Sequence, residues 1–187
     1  MKNASILIVF ILLGAGLTLW YDQDTTPDNI SAKEIVTEKN MQAVPDFTIS
    51  TLDGKSLTLG SLKGRIVVLN FWATWCAPCV VEFPKLVALA HANPDISMIL
   101  LSSDTNTEAI DRFLDKQTDE TKTYLKDPDI AIARDDKRKI TADLFMTYKL
   151  PETLIINKKG ELAHKIVGDT DWQGDEIRTL LESLREK

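Results

Sequence analysis

The sequence predicts an α/β domain joined to an N-terminal apolar span. Three observations carry this. Residues 66–72, Ile-Val-Val-Leu-Asn-Phe-Trp, form an apolar, β-branched and aromatic run interrupted only by Asn70, the pattern of a strand buried on both faces. From Val80 the apolar residues recur at helical spacing, so this strand hands over to a helix beginning near Ala77. Ile96 to Ser102 reads as a second buried strand, again followed by a helical pattern. The 187 residues have room for one such domain plus an appendage. A net charge of −6, with no basic stripe and no Gly-rich phosphate loop, argues against nucleic acid.

The appendage comes first. Ala4 to Tyr21 carries no charge, with an apolar core at Ile6 to Leu13. About twenty apolar residues span a bilayer, and roughly 17 is the lower limit. Ala15-Gly16-Leu17 is a poor signal-peptidase site, and Trp20-Tyr21 suit an interfacial anchor, so residues 1–21 read as an uncleaved anchor rather than a cleaved signal. Lys2 precedes the span, while Asp22, Asp24 and Asp28 follow it. The positive end stays inside, which places the domain outside the cytoplasm on a single-pass anchor. Residues 22–43 read as a polar tether, with a short helix over 31–40 capped by Ser31 and Glu34.

The domain itself, residues 44–187, opens with a hairpin. Phe47 to Leu52 and Ser56 to Leu59 alternate apolar and polar residues around Asp53-Gly54. A turn over 59–64 leads into the buried strand. The next helix runs from about Ala77 to His91, with Pro84 in its interior expected to kink it. After the second buried strand, Asp104-Thr105-Asn106 offer caps for a helix to about Gln117, with Ile110, Phe113 and Leu114 facing inward. Residues 118–136 are charged and irregular, with a short edge strand at 123–125 and a turn at Asp127-Pro128-Asp129. Ile140 to Tyr148 reads as another helix. Leu150-Pro151 introduces a strand at 153–157, and Lys158-Lys159-Gly160 turns the chain into a partner strand at 161–167. Asp171 to Arg185 closes the domain as an amphipathic helix, with Ile177, Leu180, Leu181 and Leu184 inward.

Two cysteines, Cys76 and Cys79, sit where the first buried strand meets its helix. The thiolate is the nucleophile, and a helix N-terminus favours negative charge. Cys76 lies at or just before the first turn, so its thiol is expected to titrate below the free value of roughly 8.5. Pro78 fits the first turn, where its missing N–H costs nothing. A C-x-x-C beside a strand–helix pattern reads as a thioredoxin-like redox motif. Zinc sites use the same spacing but usually need four ligands, and His91 and His164 lack Cys or His neighbours at ligand spacing.

At Phe71-Trp72-Ala73-Thr74-Trp75-Cys76-Ala77-Pro78-Cys79 the chain resembles the active-site signature of the thioredoxin superfamily. The continuation Glu82-Phe83-Pro84 resembles the membrane-anchored TlpA/ResA and CcmG/DsbE reductases, over roughly residues 44–186. The resemblance implies a three-layer thioredoxin-like fold, a central mixed sheet with helices on both faces. It implies thiol–disulfide exchange with extracytoplasmic proteins, such as apocytochrome c or copper-site proteins, without a cofactor. A membrane thiol donor of the CcdA/DsbD kind is implied to re-reduce the pair. The chain is read as a monomer.

Further roles follow from the resemblance. Pro151 is implied to form the cis-proline loop facing the cysteines, although only about 5–6% of X–Pro bonds are cis and composition alone favours trans. Leu150 and Pro151, with Trp75, Ala77 and Pro78, are implied to meet a substrate segment by strand addition. Glu82 shares a helical face with Leu86 and Leu89, and a carboxyl on an apolar face resists ionising. Matched to the glutamate of ResA-like reductases, it is implied to be an acid–base group for Cys79, against the alternative of a first-turn glutamate favoured by the helix dipole. Asn70 stands where cytosolic thioredoxins carry a buried aspartate, which shifts that role to Glu82. Trp72 is expected in the core, Trp75 as a partly exposed platform, and His91 and His164 at the surface. The charged surplus around 134–139 departs from the family pattern and reads as a solvated face.

Rival functions remain. Known C-x-x-C proteins range from about −270 to −120 mV, so an oxidase that donates disulfides is open. A peroxidase on the same fold needs Pro-x-x-x-Thr-x-x-Cys, and Trp72 stands where that threonine belongs. A copper(I) metallochaperone would use the two soft thiolates but lacks a third ligand.

Overall fold

The computed structural model describes residues 42–186. The span at 1–21, the helix at 31–40 and nearly all of the tether lie outside the described residues. Among the described residues no helix is long and apolar enough to cross a membrane.

A hairpin of β1 (Thr48–Ser50) and β2 (Ser56–Thr58) comes first, paired antiparallel. Gly54 closes its turn at φ 82°, a backbone conformation that glycine adopts without strain. A single 3₁₀ turn (Leu59–Leu62) leads to β3 (Ile66–Trp72), α1 (Ala77–Ala92) and β4 (Ile96–Ser102). Then come α2 (Thr107–Asp115), α3 (Asp119–Tyr124) and β5 (Ile130–Arg134). After two irregular helical turns, β6 (Glu152–Ile156), β7 (Leu162–Val167) and α4 (Asp175–Arg185) complete the domain.

The main sheet has the order β5-β4-β3-β6-β7. Its β3–β4 and β4–β5 pairs are parallel, and β3–β6 and β6–β7 are antiparallel, so the sheet is mixed as expected. Every residue of β3 and β4 is buried, which is why both read as continuous apolar runs. Alternation along β3 divides the core in two. Val68 and Trp72 pack with Phe83, Leu86 and Val87 of α1, Ile110 of α2, and Ile177, Leu181 and Leu184 of α4. Val67, Leu69 and Phe71 face the other way, against Phe47, Ile49 and Leu59 of the hairpin region and Ile140, Leu144 and Phe145. On the first face Trp72, Phe83 and Phe113 form a triangle, with ring centroids 4.7 to 5.1 Å apart.

Three expectations need correction. The segment at 123–125 is not an edge strand. It ends α3, whose N-cap Thr118 accepts a hydrogen bond from the Thr121 N–H at 3.2 Å, and Tyr124 and Leu125 pack on the core. The edge strand on the β4 side is β5, inside the stretch read as irregular, and the hairpin is tied to it where the Leu52 N–H donates to the Ile132 carbonyl. The helix expected over 140–148 is one π-helical turn, Lys139–Leu144. The buried Asp135 carboxylate accepts from the N–H groups of Ile140 and Thr141 and fixes where the turn starts. Met146 then takes φ 51°, which ends it. Finally, the closing helix begins at Asp175, so Trp172 lies in the turn before it.

Candidate active site

β3 delivers the chain to one end of the sheet, and the turn Ala73-Thr74-Trp75 reverses it into α1. Cys76 is the N-cap residue, with Ala77 and Pro78 opening the helix. The Cys76 N–H donates to the Ala73 carbonyl at 3.2 Å, and the Cys76 carbonyl accepts from Val80 N–H at 3.1 Å. The two cysteines are joined as a disulfide, Cα–Cα 5.3 Å. They are unequal in access: Cys76 is 8% exposed and Cys79 1%. Ala77 and Pro78 are exposed beside them, and Trp75 is 66% exposed. Trp72 is buried.

The turn is held from β4. The buried Asp104 carboxylate accepts from Thr74 N–H at 2.9 Å, Thr74 Oγ1–H at 2.7 Å and Ser102 Oγ–H at 2.7 Å. Asp104, read from sequence as a candidate helix cap, is therefore committed to the cysteine turn. The cap is Asn106, whose side chain accepts from Ala109 N–H.

Glu82 is 1% exposed, on α1 three residues beyond Cys79. Side chains three apart on a helix are neighbours, roughly 5–6 Å between Cβ atoms. The acidic group lies past the first turn, so the helix-dipole alternative does not hold it. Its Oε1 accepts from Asn70 Nδ2 and its Oε2 from Trp172 Nε1, both at 3.0 Å. Asn70 also donates to Thr153 Oγ1 at 2.9 Å. Burial pushes the Glu82 carboxyl above its ordinary range. The Trp172 and Asn70 hydrogen bonds oppose burial without overcoming it; among the charges, Asp169 raises it and Lys85 lowers it.

The folded state binds the Glu82 proton more tightly than the unfolded state, whose carboxyl titrates near 4.5. Stability attributable to this group therefore falls as pH rises from about 4.5 through the raised folded value, the reverse of a salt-bridged carboxylate. Glu82→Gln cannot ionise and lacks this slope. Denaturant unfolding of the oxidised protein is expected to show the variant gaining on wild type as pH rises through that window, and no relative change below it. A constant difference across pH would mean that Glu82 is not held protonated by burial.

Phe71 pairs with Glu152 across β3 and β6, so the chain just before Glu152 lies at the cysteine end of the sheet. The Leu150–Pro151 bond there is cis. Pro151 is buried and Leu150 half-buried. The loop is tied down by Thr147 Oγ1–H donating to buried Glu152 at 2.6 Å, by Lys165 Nζ 3.0 Å from the same carboxylate, and by Arg138 donating to the Thr147 carbonyl. Met146 and Tyr148 are left exposed on either side of Thr147.

The structure thus brings Trp75, Cys76, Ala77, Pro78, Cys79, Leu150 and Pro151 to one end of the sheet, with Glu82 buried on α1 three residues past Cys79. Sequence reasoning missed Trp172, Thr153, Asp104, Thr147 and Glu152. The available signal was chemical: Glu82 on an apolar face demands donors, but nothing in the helical spacing of residues 171–185 points Trp172 inward. His91 stacks on Tyr124 and pairs with Asp127 at 2.7 Å, and His164 is exposed. Among the described residues no group of three His, Cys, Asp or Glu is placed to hold a metal ion.

The comparisons agree with this geometry. The redoxin family model matches residues 38–183. The chain is 33% identical over 168 residues to a thiol-disulfide oxidoreductase ResA of Bacillus cereus, covering 88% of this chain and 86% of that protein. It is 32% identical over 167 residues to the thiol:disulfide interchange protein DsbE of Pseudomonas aeruginosa, covering 88% and 81%. The crystal structure of StoA from Bacillus subtilis shares the fold, with a TM-score of 0.57 at 22% identity, over 75% of this chain and 99% of that one. With its Cys76–Cys79 pair at the head of a buried strand–helix junction, the chain belongs to the redoxin family, among the thiol-disulfide oxidoreductases of the ResA and DsbE type.

Proposed function

We propose that this oxidoreductase reduces disulfides in proteins outside the cytoplasm, with Cys76 as nucleophile, Cys79 as resolving thiol and Glu82 as acid–base group. The unequal burial of the two cysteines carries the assignment, because a substrate disulfide meets the more accessible sulfur first. The Cys76 thiolate attacks one sulfur of the substrate disulfide; that S–S bond breaks, and the departing substrate thiolate takes a proton. Cys79 then gives its proton to the Glu82 carboxylate and attacks the Cys76 sulfur. The mixed disulfide breaks, the second substrate sulfur leaves as thiolate and is protonated, and Cys76–Cys79 is left oxidised. Two electrons have passed from the enzyme dithiol to the substrate.

Trp75, Ala77, Pro78, Leu150 and Pro151 form the surface that a substrate segment meets, pairing with the loop backbone by strand addition. The uncharged run at 4–21 and the acidic residues after it support a single-pass anchor with the domain on the outer side. A membrane thiol carrier of the CcdA/DsbD type then returns the electrons. Apocytochrome c haem-site cysteines and copper-site proteins are the substrate classes that the family likeness favours.

The test is a Cys79→Ser trap in the native host. Mixed disulfides on Cys76 are expected to enrich extracytoplasmic proteins with closely spaced cysteine pairs. A reduction potential above about −180 mV, with the oxidised form less stable than the reduced, would instead make the protein a disulfide donor. Trapped cytoplasmic proteins would overturn the placement.

A further inference from the structure

We infer that Trp172 is a positioning residue for the exchange reaction: its indole N–H holds the Glu82 carboxyl in the orientation from which that group accepts the Cys79 proton. The inference rests on Glu82 acting as the acid–base group, and the experiment below separates the two.

Three observations carry it. First, Trp172 is buried in the turn before α4, 90 residues from Glu82 in sequence, yet its single donor ends on Glu82 Oε2 at 3.0 Å. A buried indole N–H needs an acceptor, and here the acceptor is a titratable carboxyl rather than a backbone carbonyl. Second, the other donor on the carboxyl is already shared out. The Asn70 amide offers two hydrogens, and its nitrogen serves Glu82 Oε1 at 3.0 Å and Thr153 Oγ1 at 2.9 Å. Asn70 therefore has none left for Oε2, which depends on the indole.

Third, both contacts come from donors, which favour the carboxylate over the protonated acid. Burial works the other way and prevails in the folded protein, so the donors decide how far the group stays usable as a base. The charged groups that bear on it are Lys85 from α1 and Asp169 from the turn carrying Trp172, and they act in opposite directions. β3 and β6 bring the uncharged Asn70 and Thr153. With the two charges opposed, the indole is the contact on Oε2 that pulls the carboxyl back toward ionisation.

The reduced full-length protein is mixed with an aromatic disulfide reporter that releases one coloured thiolate when Cys76 attacks it. A second equivalent follows when Cys79 resolves the Cys76 adduct. In wild type the second phase is expected to rise with pH as Glu82 ionises. In Trp172→Phe that rise moves up by about one pH unit, a tenfold slower second phase below the midpoint, while the first phase keeps its pH dependence. The benzothiophene isostere of tryptophan at position 172 keeps the ring shape and lacks only the N–H, so it reports on the donor even if the phenylalanine variant folds poorly. It is expected to give the same displacement.

Glu82→Gln calibrates the result. If its second phase superimposes on wild type, Glu82 is not the proton acceptor, and the reading on which this inference rests fails. If Glu82→Gln loses the rise but the isostere matches wild type, the Trp172 inference alone is overturned. Equal slowing of both phases in the isostere, with no displaced midpoint, also overturns it, since that is the signature of packing.

Discussion

Reduced Cys79→Ser is expected to release one equivalent of thiolate from the aromatic disulfide reporter and stop, whereas wild type releases two. The single equivalent remains as a stable adduct on Cys76. Cys76→Ser is expected to lose turnover on a protein disulfide by on the order of 10⁴-fold or more, the scale of losing an essential nucleophile. The asymmetry follows from placement. Cys76 is the N-cap residue of α1, where the unpaired N–H groups of the first turn favour a thiolate. Cys79 is one turn inside and almost wholly buried, so it meets few partners other than Cys76. Its use is intramolecular, which is why its loss stalls the reaction at the adduct rather than before it. Cys76→Ser, whose remaining thiol is Cys79, is expected to form its adduct far more slowly than Cys79→Ser forms one on Cys76. Equal rates of adduct formation in the two single-serine variants would remove the distinction between attacking and resolving thiols.

The parts of the site that lie along one stretch of chain are legible in the sequence. β3 and β4 are apolar throughout because both faces of the sheet are covered, and their bounds read directly from the residues. The start of α1 is marked by Pro78, whose missing N–H costs nothing in the first turn. The burial of Glu82 follows from sharing a face with Leu86, which is fully buried. The cis bond at Leu150–Pro151 is different: composition favours trans, and only the family likeness pointed to cis.

What escaped the sequence depends on partners far along the chain. α3 has six residues, Asp-Glu-Thr-Lys-Thr-Tyr, and buries only Thr121 fully, so it shows no apolar stripe. β5 is an edge strand of alternating Ile and Ala, mostly half-buried, with a pattern too weak to stand out from its charged surroundings. The π-helical turn is set by Asp135 reaching the N–H groups of Ile140 and Thr141, and no helical periodicity encodes that. Trp172 reads as part of a closing helix, and its hydrogen bond to Glu82 exists only once β3, α1 and the last turn have packed together. Exchange chemistry was therefore visible in a nine-residue motif, while the residues that hydrogen-bond Glu82 and the cysteine turn were not.

Asp104 is where such a hidden group is expected to show its largest effect. Asp104→Ala removes the acceptor of three hydrogen bonds at once, two from Thr74 and one from Ser102. The two hydroxyls can turn to other acceptors, but the Thr74 N–H is fixed by the backbone and is left without a partner. Hydrogen bonds to charged groups contribute roughly 1.5–3 kcal/mol each and are not additive, so a loss of about 3 kcal/mol in unfolding free energy is expected. Asp104→Asn keeps an oxygen for the Thr74 N–H, and its amide can donate to hydroxyls that turn to accept, so its cost is expected near ~1 kcal/mol. Thr74→Val keeps the backbone bond and loses the hydroxyl, and is expected to fall near the asparagine variant. Because Thr74 stands two residues before Cys76, the alanine variant is also expected to loosen the turn that presents Cys76. Alkylation of Cys76 in the reduced protein is expected to be slower in Asp104→Ala than in wild type, while Asp104→Asn keeps the wild-type rate. Urea unfolding of the oxidised proteins gives the energies, and a double-mutant cycle between positions 74 and 104 gives the coupling. If the alanine and asparagine variants cost the same, within about 0.5 kcal/mol, the carboxylate does not hold the turn, and the geometry of Cys76 is set by β3 and α1 alone.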